Sequence, residues 1–236
     1  MMNLIDSSNR TMHSETLRSF AELRHEVFVR RLGWALSAAR EGLEEDKYDT
    51  SRAVYVTISN STGHVVAGAR LLDTSNASLL HEIFPHLVKD GNPQRSDRIY
   101  EVTRFVIDHR RERLEGCMDL RNRLLWGIQA AALHLKLEKM VSVTYTHLEP
   151  MLQKAGYRFR RLGDVHCIDG IPTVALEHEV SLDILDACCS SLRTGRAYHK
   201  SKPLCHSGSQ SDQSAASLVH PAFSQLSTSN YLVFQH

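Results

Sequence analysis

The sequence predicts an α/β fold in which helices cover a mixed sheet of about six or seven strands. Three observations predict it. Segments with helical and strand periods alternate along residues 1–190, one strand is apolar on both faces and therefore central, and no internal repeat is visible. At 236 residues with 42% hydrophobic content, the chain is long enough to bury one sizeable core. We therefore expect one domain over residues 1–190 with an appendage.

The first predicted helix begins near Ser14, a plausible N-cap with Glu15 in the first turn. Apolar residues at helical spacing then form one stripe: Leu17, Phe20, Val27 and Phe28. On a helical wheel of about 100° per residue, Arg24 lies at the centre of that stripe. The pattern therefore predicts an arginine that points inward.

Two strands at 52–59 and 64–73 are predicted to form a hairpin around the NSTG turn. The second is the strand that is apolar on both faces, and in it Gly68 indicates a bulge or a close approach of another group to the backbone. The later elements are a short helix at 78–88 ending near Pro85, a strand at 98–108, a long helix from Leu120, a strand at 140–146, a helix ending at Gly156, and strands at 157–163 and 173–180.

Residues 191–236 differ in composition from the rest of the chain. They hold ten serines, four basic residues against one acidic residue, and the run SGSQSDQS, with little periodic apolar pattern. Such a segment buries too little apolar surface to offset its ordering entropy. We predict a low-complexity, disordered tail over 191–236.

Several classes of protein are disfavoured by the sequence. No run of 18 apolar residues exists, and the first residues lack the features of a secretory signal, so we expect a cytoplasmic protein with no membrane span. The fourteen histidines are scattered, with no HExxH motif and no metal-ligand spacing, and we predict no metal site. The cysteines form no CxxC pair and are expected to be reduced: Cys117, Cys167, Cys188, Cys189 and Cys205.

Charged residues also stand on the predicted central strands. Arg70 lies on the apolar strand, and Arg104 on the strand at 98–108. A buried guanidinium costs several kcal/mol unless a carboxylate pairs with it, so three inward arginines require inward acids. The candidate acids are Asp46, Asp49 and Glu101.

Two interpretations of this charged set remain open. It could be a purely structural network that fixes the N-terminal segment to the sheet, because many buried ion pairs have no other role. Alternatively it forms a polar pocket for a small zwitterion, with Trp34 and Phe28 as walls. An indole face attracts sulfonium and ammonium groups by roughly 0.5–2 kcal/mol, although a lone tryptophan after a helix is more often a packing residue.

Five short segments stand in this order along the chain: LRHEVFVRRLGW, EEDKYD, VAGARLL, EIFP and YEVTRFVID. They contain nine residues of interest: Arg24, Phe28, Trp34, Asp46, Asp49, Arg70, Phe84, Glu101 and Arg104. These segments and residues resemble the motifs and signature of the acyl-homoserine lactone synthases, the autoinducer synthases of bacterial quorum sensing, and the similarity runs from about residue 3 to 185.

The resemblance implies a three-layer α-β-α fold similar to the GNAT N-acyltransferases. It also implies two substrates, S-adenosylmethionine and an acyl thioester, usually on acyl carrier protein. The amine attacks the thioester carbonyl, and the carboxylate then closes the lactone and expels methylthioadenosine. No resident cofactor or metal is expected. On this basis the catalytic residues would be Glu101, Arg104, Arg70, Asp46 and Asp49, and the substrate-binding residues Arg24, Phe28, Trp34, Phe84 and Thr103.

The chemistry of the residues agrees with these roles. An α-amine has a pKa of about 8, so a carboxylate base can remove its proton near neutral pH, and Glu101 is the candidate base. Side chains alternate across a strand, so Glu101 and Arg104 project to opposite faces unless a bulge intervenes. Such a bulge would also aim a backbone N–H at the thioester oxygen. Thr103 stands where the family commonly has serine and keeps the hydroxyl.

The acyl donor is predicted to be carried on a protein. GNAT enzymes that use coenzyme A carry a Q/R-x-x-G-x-G/A turn after the catalytic strand, and the run DHRRERLEGCMDL lacks it. A basic patch follows that suits an acidic carrier protein, although it could also be a merely solvated face. The predicted docking residues are Arg110, Arg111, Arg113, Lys154 and Arg158, with Arg121, Arg123, Arg160 and Arg161 nearby.

Coenzyme A esters remain an alternative donor, whereas nucleic acid is disfavoured because the domain has no recognition motif. Thr144, on the strand at 140–146, is the candidate acyl-pocket residue, since the family places a threonine near here. Two other functions stay open: a GNAT-type N-acyltransferase that uses acyl-coenzyme A and a different amine, and a non-catalytic binding module on the same fold. The sequence predicts no particular oligomeric state.

Overall fold

The computed structural model describes residues 1–36, 39–110 and 119–198 of the chain. Their strands are β1 (Met2–Ile5), β2 (Ala39–Arg40), β3 (Leu43–Glu44), β4 (Val54–Ser59), β5 (Val65–Asp73), β6 (Ile99–Ile107), β7 (Lys139–Tyr145), β8 (Phe159–Arg161), β9 (His166–Ile168) and β10 (Ile171–Glu179). One mixed sheet of eight strands runs in the order β1-β4-β5-β6-β7-β10-β8, with β9 also paired to β10. β2 and β3 form a separate hairpin.

Helices cover both faces of the sheet. A π-helical segment, His25–Arg31, continues the first helix, and 3-10 turns occupy Pro85–Leu87 and Thr146–Leu148. The α-helices are α1 (Ser14–Arg24), α2 (Leu79–Glu82), α3 (Leu120–His134), α4 (Glu149–Lys154) and α5 (Leu182–Tyr198).

Two apolar cores lie on opposite sides of the sheet. On one side α1 packs on β5, and its Phe20 and Leu23 share a core with Ile99 of β6. On the other side α3 packs on β4 and β5, and α5 packs on α3, with Leu124 and Ile184 in the core. The predicted fold class, in which helices cover a mixed sheet, is therefore confirmed. The sheet and the helices on its two faces make three layers.

The central pair of strands separates along its length. β6 and β7 are parallel, whereas the other strand pairs of the described sheet are antiparallel. Their register has three pairs, from Ile99 with Lys139 to Glu101 with Val141, although β6 continues to Ile107 and β7 to Tyr145. The two strands therefore part immediately after Glu101.

Short elements account for most differences from the predicted order. The strands β1 and β9 were not predicted; they have four and three residues, too few for an alternating pattern to stand out. Ser14 is the first residue of α1 rather than its N-cap, which is His13 and makes no side-chain cap. The inward position of Arg24 is confirmed, since the residue is 1% exposed.

The domain boundary predicted at residue 190 falls inside α5, which continues to Tyr198. Residues 199–236, the remainder of the predicted tail, lie outside the described residues. Among the helices of the described residues, none combines the length and the apolar character that a membrane span requires.

Candidate functional site

Three buried arginines from three different elements meet beside the sheet. Arg24 ends α1, Arg70 lies on β5 and Arg104 on β6, and each is at most 3% exposed. Aromatic rings lie against all three guanidinium groups. Arg104 stands 5.8 Å from the centroid of the Phe28 ring, and Arg24 stands 5.5 Å from that of Phe20.

Three carboxylates neutralise these arginines. Glu44 lies on β3, and Asp46 and Asp49 lie in the segment that follows it. Arg24 forms a bidentate pair with Asp49, at 2.9 Å for each contact, and also pairs with Glu44. Arg70 holds Asp46 at 2.6 and 2.9 Å. Arg104 contacts Glu44 at 2.9 Å and Asp46 at 2.7 Å, so the six side chains form one connected network.

The predicted set of acids was wrong in one member. Glu44, which is 0% exposed, is the third carboxylate of the network, whereas Glu101 was expected there. Because Glu44 and Asp46 are two residues apart in an extended segment, their side chains share one side of the chain. That alternation within EEDKYD was the signal that would have found Glu44.

The network keeps Glu44 and Asp49 ionised. Burial acts to raise the pKa of Glu44, but the charges of Arg24 and Arg104 outweigh it and hold the pKa below its usual value. The pKa of Asp49 is likewise lowered, because Arg24 and Arg70 overcome the effect of burial. The ion pairs of Glu44 and Asp49 are thus fully formed at neutral pH, and removal of one partner would leave a buried charge uncompensated.

β6 contains the bulge that Glu101 and Arg104 need in order to share a face. The register of β5 with β6 shifts between Gly68 and Arg70, where Gly68 pairs with Val106 and Arg70 with Thr103. Arg104 lies in the extra length of β6 and has φ 51°, in the left-handed region. The bulge therefore brings Arg104 to the same face as Glu101.

Glu101 lies apart from the ion pairs and has different electrostatics. It is 1% exposed, and both of its carboxylate oxygens accept a hydrogen bond from the Leu80 N–H at 3.1 Å. Burial raises its pKa to about 7, although the Leu80 N–H, the Ser78 side chain and the charge of Arg70 oppose the rise. A carboxylate with this pKa is suited to general-base chemistry at neutral pH.

The aromatic residues of the predicted site lie close to the arginines. Trp34 stacks on Phe28 with centroids 4.8 Å apart and an interplanar angle of 6°. Phe84 is buried in the same apolar core as Phe28, and the Thr103 hydroxyl accepts a hydrogen bond from Arg70 Nε at 3.1 Å. Thr103 thus orients an arginine of the network.

Thr144 lies on the opposite face of the sheet from Glu101. Alternation along β7 places it beside Ser142, whose hydroxyl contacts His178 Nε2 at 2.8 Å on the side covered by α3 and α5. The Thr144 hydroxyl is buried and has no hydrogen-bond partner within the described parts of the chain. A ligand that contacts both Glu101 and Thr144 has to pass between β6 and β7, where the strands part.

The predicted docking patch is less basic than its sequence indicates. Each arginine around β8 pairs with a glutamate: Arg158 with Glu179 at 2.7 Å, and Arg160 with Glu177 at 2.9 Å. Lys154 is exposed on α4 and Arg110 is exposed after β6. Arg111 and Arg113 lie outside the described residues. The arginines around β8 therefore do not offer uncompensated positive charge to an acidic partner.

Two cavities flank the network. One, of about 560 Å³, lies between α1 and the ends of β5 and β6, where Arg31 bridges Glu26 and Asp108. The other, of about 290 Å³, borders the network's loop at Tyr48 and Thr50. Among the described residues, no cluster of three or more potential metal ligands occurs.

The family model for the autoinducer synthases matches residues 8–183, which include the network, Glu101 and Thr144. The chain belongs to the autoinducer synthase family. It is therefore an enzyme of the acyltransferase type that this family comprises. The match ends within α5, close to the end of the resemblance expected from the sequence.

Comparisons with individual proteins agree with the family. The acyl-homoserine-lactone synthase of Ralstonia nicotianae is 32% identical over 178 residues, which cover 74% of this chain and 85% of that protein. The solved structure of the coenzyme A-dependent acyl-homoserine lactone synthase BjaI with MTA has a TM-score of 0.74 and 26% identity, and covers 82% of this chain and 89% of that chain.

The GNAT-like fold class is also confirmed. An acyl-CoA N-acyltransferase from Pseudomonas aeruginosa has a TM-score of 0.52 at 19% identity, over 75% of this chain and 97% of that chain. At this identity the likeness concerns the fold alone.

Proposed function

We propose that this enzyme transfers an acyl group from a thioester to the amine of S-adenosylmethionine and then closes the product to an N-acyl-L-homoserine lactone. The observation that carries the proposal is Glu101, a buried carboxyl with a pKa of about 7, beside the arginine network in a chain of the autoinducer synthase family. The names of its relatives, which are acyl-homoserine-lactone synthases, support the same reaction.

Glu101 acts as the general base in this proposal. Its carboxylate takes a proton from the α-amine, and the nitrogen attacks the thioester carbonyl carbon. The C–S bond of the thioester breaks and the thiolate leaves with a proton. The substrate carboxylate then attacks its own γ-carbon, the bond from that carbon to the sulfonium breaks, and neutral methylthioadenosine departs.

Arg104 is the proposed ligand of the substrate carboxylate. Its Nη1 is buried and has no hydrogen-bond partner in the described ranges, whereas its Nε and Nη2 hold Glu44 and Asp46. A buried guanidinium N–H without an acceptor is costly, and a substrate carboxylate would satisfy it. Arg24 and Arg70 would then orient the acids, with Phe28 and Trp34 as an aromatic wall for the sulfonium end.

The acyl chain is proposed to pass between β6 and β7 towards Thr144. The thioester would lie near Glu101, where the strands part, and the chain would continue to the far face. The buried hydroxyl of Thr144 could donate a hydrogen bond to a substituent on that chain. No resident cofactor is needed, because S-adenosylmethionine brings its own leaving group.

Acyl carrier protein is the donor favoured by the absence of a GNAT coenzyme A turn. A coenzyme A ester is a second candidate, supported by two observations. BjaI is coenzyme A-dependent by name, and the arginines around β8 are paired with glutamates rather than available to an acidic partner.

The test is a parallel assay of the purified chain with S-adenosylmethionine and the same acyl group on carrier protein or on coenzyme A. Mass spectrometry should detect both the lactone and methylthioadenosine, with one donor preferred in kcat/KM. Glu101→Gln should lower turnover by a factor on the order of 10² or more, whereas Glu45→Gln, an exposed neighbour of the network, should not. Acyl transfer without release of methylthioadenosine would instead indicate an N-acyltransferase for another amine.

A further inference from the structure

The one-turn helix α2 is tied to the loop that carries two acids of the arginine network. The Glu82 carboxylate, at the end of α2, accepts a hydrogen bond from the Tyr48 hydroxyl at 2.8 Å. Tyr48 belongs to the loop, and its backbone N–H donates to Asp46 Oδ1 at 2.8 Å. Asp46 in turn pairs with Arg70 and Arg104. The contact between Tyr48 and Glu82 therefore joins α2 to the network.

The same helix supplies a hydrogen bond to Glu101. The Leu80 N–H lies 3.1 Å from each oxygen of the Glu101 carboxylate. Leu80 and Glu82 belong to one turn of four residues, and so short a helix does not hold its position by its own hydrogen bonds. Its N-cap, Ser78, makes no side-chain cap bond either. The position of the Leu80 N–H relative to Glu101 therefore depends on the contacts that fix α2 to the rest of the fold.

Tyr48 is placed to serve as such an anchor. The residue is buried, and the Arg70 guanidinium stands 5.7 Å from the centroid of its ring. Burial and the hydrogen bond to Glu82 raise the pKa of the Tyr48 hydroxyl to about 12, so the hydroxyl remains a donor at neutral pH. Hydrogen bonds from Lys47 and Tyr48 lower the pKa of Glu82, which therefore accepts as a carboxylate. The contact is thus a charge-assisted hydrogen bond from a fixed ring.

We propose that Tyr48 and Glu82 are positioning residues that hold the Leu80 N–H against the Glu101 carboxylate. This inference rests on the proposed function, in which Glu101 is the general base. The two side chains act through α2 rather than on the substrate. A hydrogen bond from a backbone N–H favours the charged form of a carboxyl group, so the contact adjusts how readily Glu101 takes up a proton. It thereby links the segment that binds the arginines to the strength of the base.

The sign of the effect on Glu101 separates positioning from a direct effect of charge. Burial raises the pKa of Glu101 to about 7, and the Leu80 N–H opposes that rise. Loosening α2 weakens this hydrogen bond, so the pKa of Glu101 should rise further. The charge of Glu82 acts in the opposite sense, because removal of a neighbouring anion lowers the pKa of a carboxyl group. A rise after loss of Glu82 is therefore evidence of positioning.

Tyr48→Phe tests the contact without a change of charge, since it removes the hydroxyl and keeps the ring beside Arg70. We expect the pKa of Glu101 to rise by roughly 0.5, because a hydrogen bond to a charged group is weakened. The measurement is an NMR titration of protein with ¹³C-labelled glutamate, in which the Glu101 resonance is the one that Glu101→Gln removes. Tyr100→Phe, which removes a hydroxyl on the opposite face of β6, is the matched control and should leave this pKa unchanged.

Substitutions of Glu82 provide the second half of the test. Glu82→Ala should raise the pKa of Glu101 as Tyr48→Phe does, whereas Glu82→Gln, which keeps an acceptor for the Tyr48 hydroxyl, should stay nearer to the wild type. In the variant with both Tyr48→Phe and Glu82→Ala, the pKa should rise no further than in either alone, because both substitutions break the same contact.

Turnover should follow the titration. In Tyr48→Phe, kcat for methylthioadenosine release should fall about threefold at pH 6 and change little at pH 8.5, because less of the base is ionised at the lower pH. An unchanged or lowered pKa of Glu101 in Tyr48→Phe or Glu82→Ala, or additive rises in the double variant, would overturn the proposal. The titration needs no turnover. A chain that shows the rise but releases no methylthioadenosine would therefore support the positioning role and contradict the proposed function.

Discussion

At the scale of single residues, the two kinds of buried carboxyl in the site have opposite effects on stability. Glu44 and Asp49 are stabilised as anions by arginines, whereas Glu101 forms no ion pair with an arginine of the described residues and burial raises its pKa. A raised carboxyl pKa means that the folded protein binds a proton which the unfolded chain has already lost. Between about pH 4.5, the ordinary value, and about pH 7, stability from this group therefore decreases as pH rises.

Glu101→Gln, which is expected to lose turnover, should nevertheless be more stable than the wild type at pH 8. The neutral amide avoids the cost of a buried anion, and a gain on the order of 3 kcal/mol follows from the size of the pKa shift. Near pH 4.5, where Glu101 is protonated in the fold, the two proteins should unfold at similar urea concentrations. A variant that is less stable than the wild type at pH 8 would contradict the raised pKa.

Glu44 gives the opposite prediction. Glu44→Gln removes the charge that Arg24 and Arg104 share, and the two guanidinium groups stay buried with too little negative charge. Breaking a buried pair in this way costs roughly 3–5 kcal/mol. Urea unfolding at pH 7 should show that loss, whereas Glu45→Gln, one residue along and exposed, should change the free energy of unfolding by less than about 0.5 kcal/mol. Equal effects of the two substitutions would argue against a buried network.

At the scale of elements, the junction of α1 with β5 depends on a missing side chain. A Cβ built on Gly68 would lie 2.6 Å from Cε2 of Phe20, closer than real side chains approach. The sequence predicted a bulge or a close approach at this glycine, and both occur, since the register with β6 shifts beside it. Gly68 therefore lets α1 lie close enough to the sheet for Arg24 to reach its carboxylates.

Gly68→Ala should destabilise the fold by about 1–3 kcal/mol, the usual cost of overpacking a core. The added methyl group displaces Phe20 and, with it, the end of α1. Combining it with Phe20→Leu should recover part of the loss, and a double-mutant cycle in urea would measure the coupling. Strict additivity of the two substitutions would show that the contact does not limit how closely the helix packs.

Sequence patterns predicted the long helices and strands and the buried arginines. They did not predict every acidic residue with which the arginines pair. The inward position of Arg24 was predicted from a helical stripe, and strand alternation showed that Arg104 could share a face with Glu101 only if a bulge intervened. Both are consequences of local periodicity. Glu44 was missed because partners in a network that joins distant segments are set by tertiary structure. The pairing of the β8 arginines with β10 glutamates is likewise a cross-strand relation that charge counting along the chain does not reveal.

At the scale of the whole molecule, the two faces of the sheet provide environments of different polarity. The face under α1 carries the ion pairs and Glu101, and the face under α3 and α5 is apolar apart from a few buried polar groups such as Thr144. The parting of β6 and β7 connects the two faces at Glu101. The proposed reaction, which joins a charged amine to an apolar chain, needs these two environments in contact at the reacting atoms.

The face of the sheet covered by α3 and α5 indicates where the functional domain ends. The family match ends at residue 183, but Ile184 and Cys188 of α5 are 0% exposed in the core against α3. A chain ending at residue 198 should therefore keep its turnover within about twofold, because it retains the whole of that helix. A chain ending at residue 181 should lose several kcal/mol of stability, since two buried side chains are removed from the core. Turnover and urea unfolding of the two truncations, compared with the full chain, test this. Loss of turnover in a folded chain of residues 1–198 would instead assign residues 199–236 a part in catalysis.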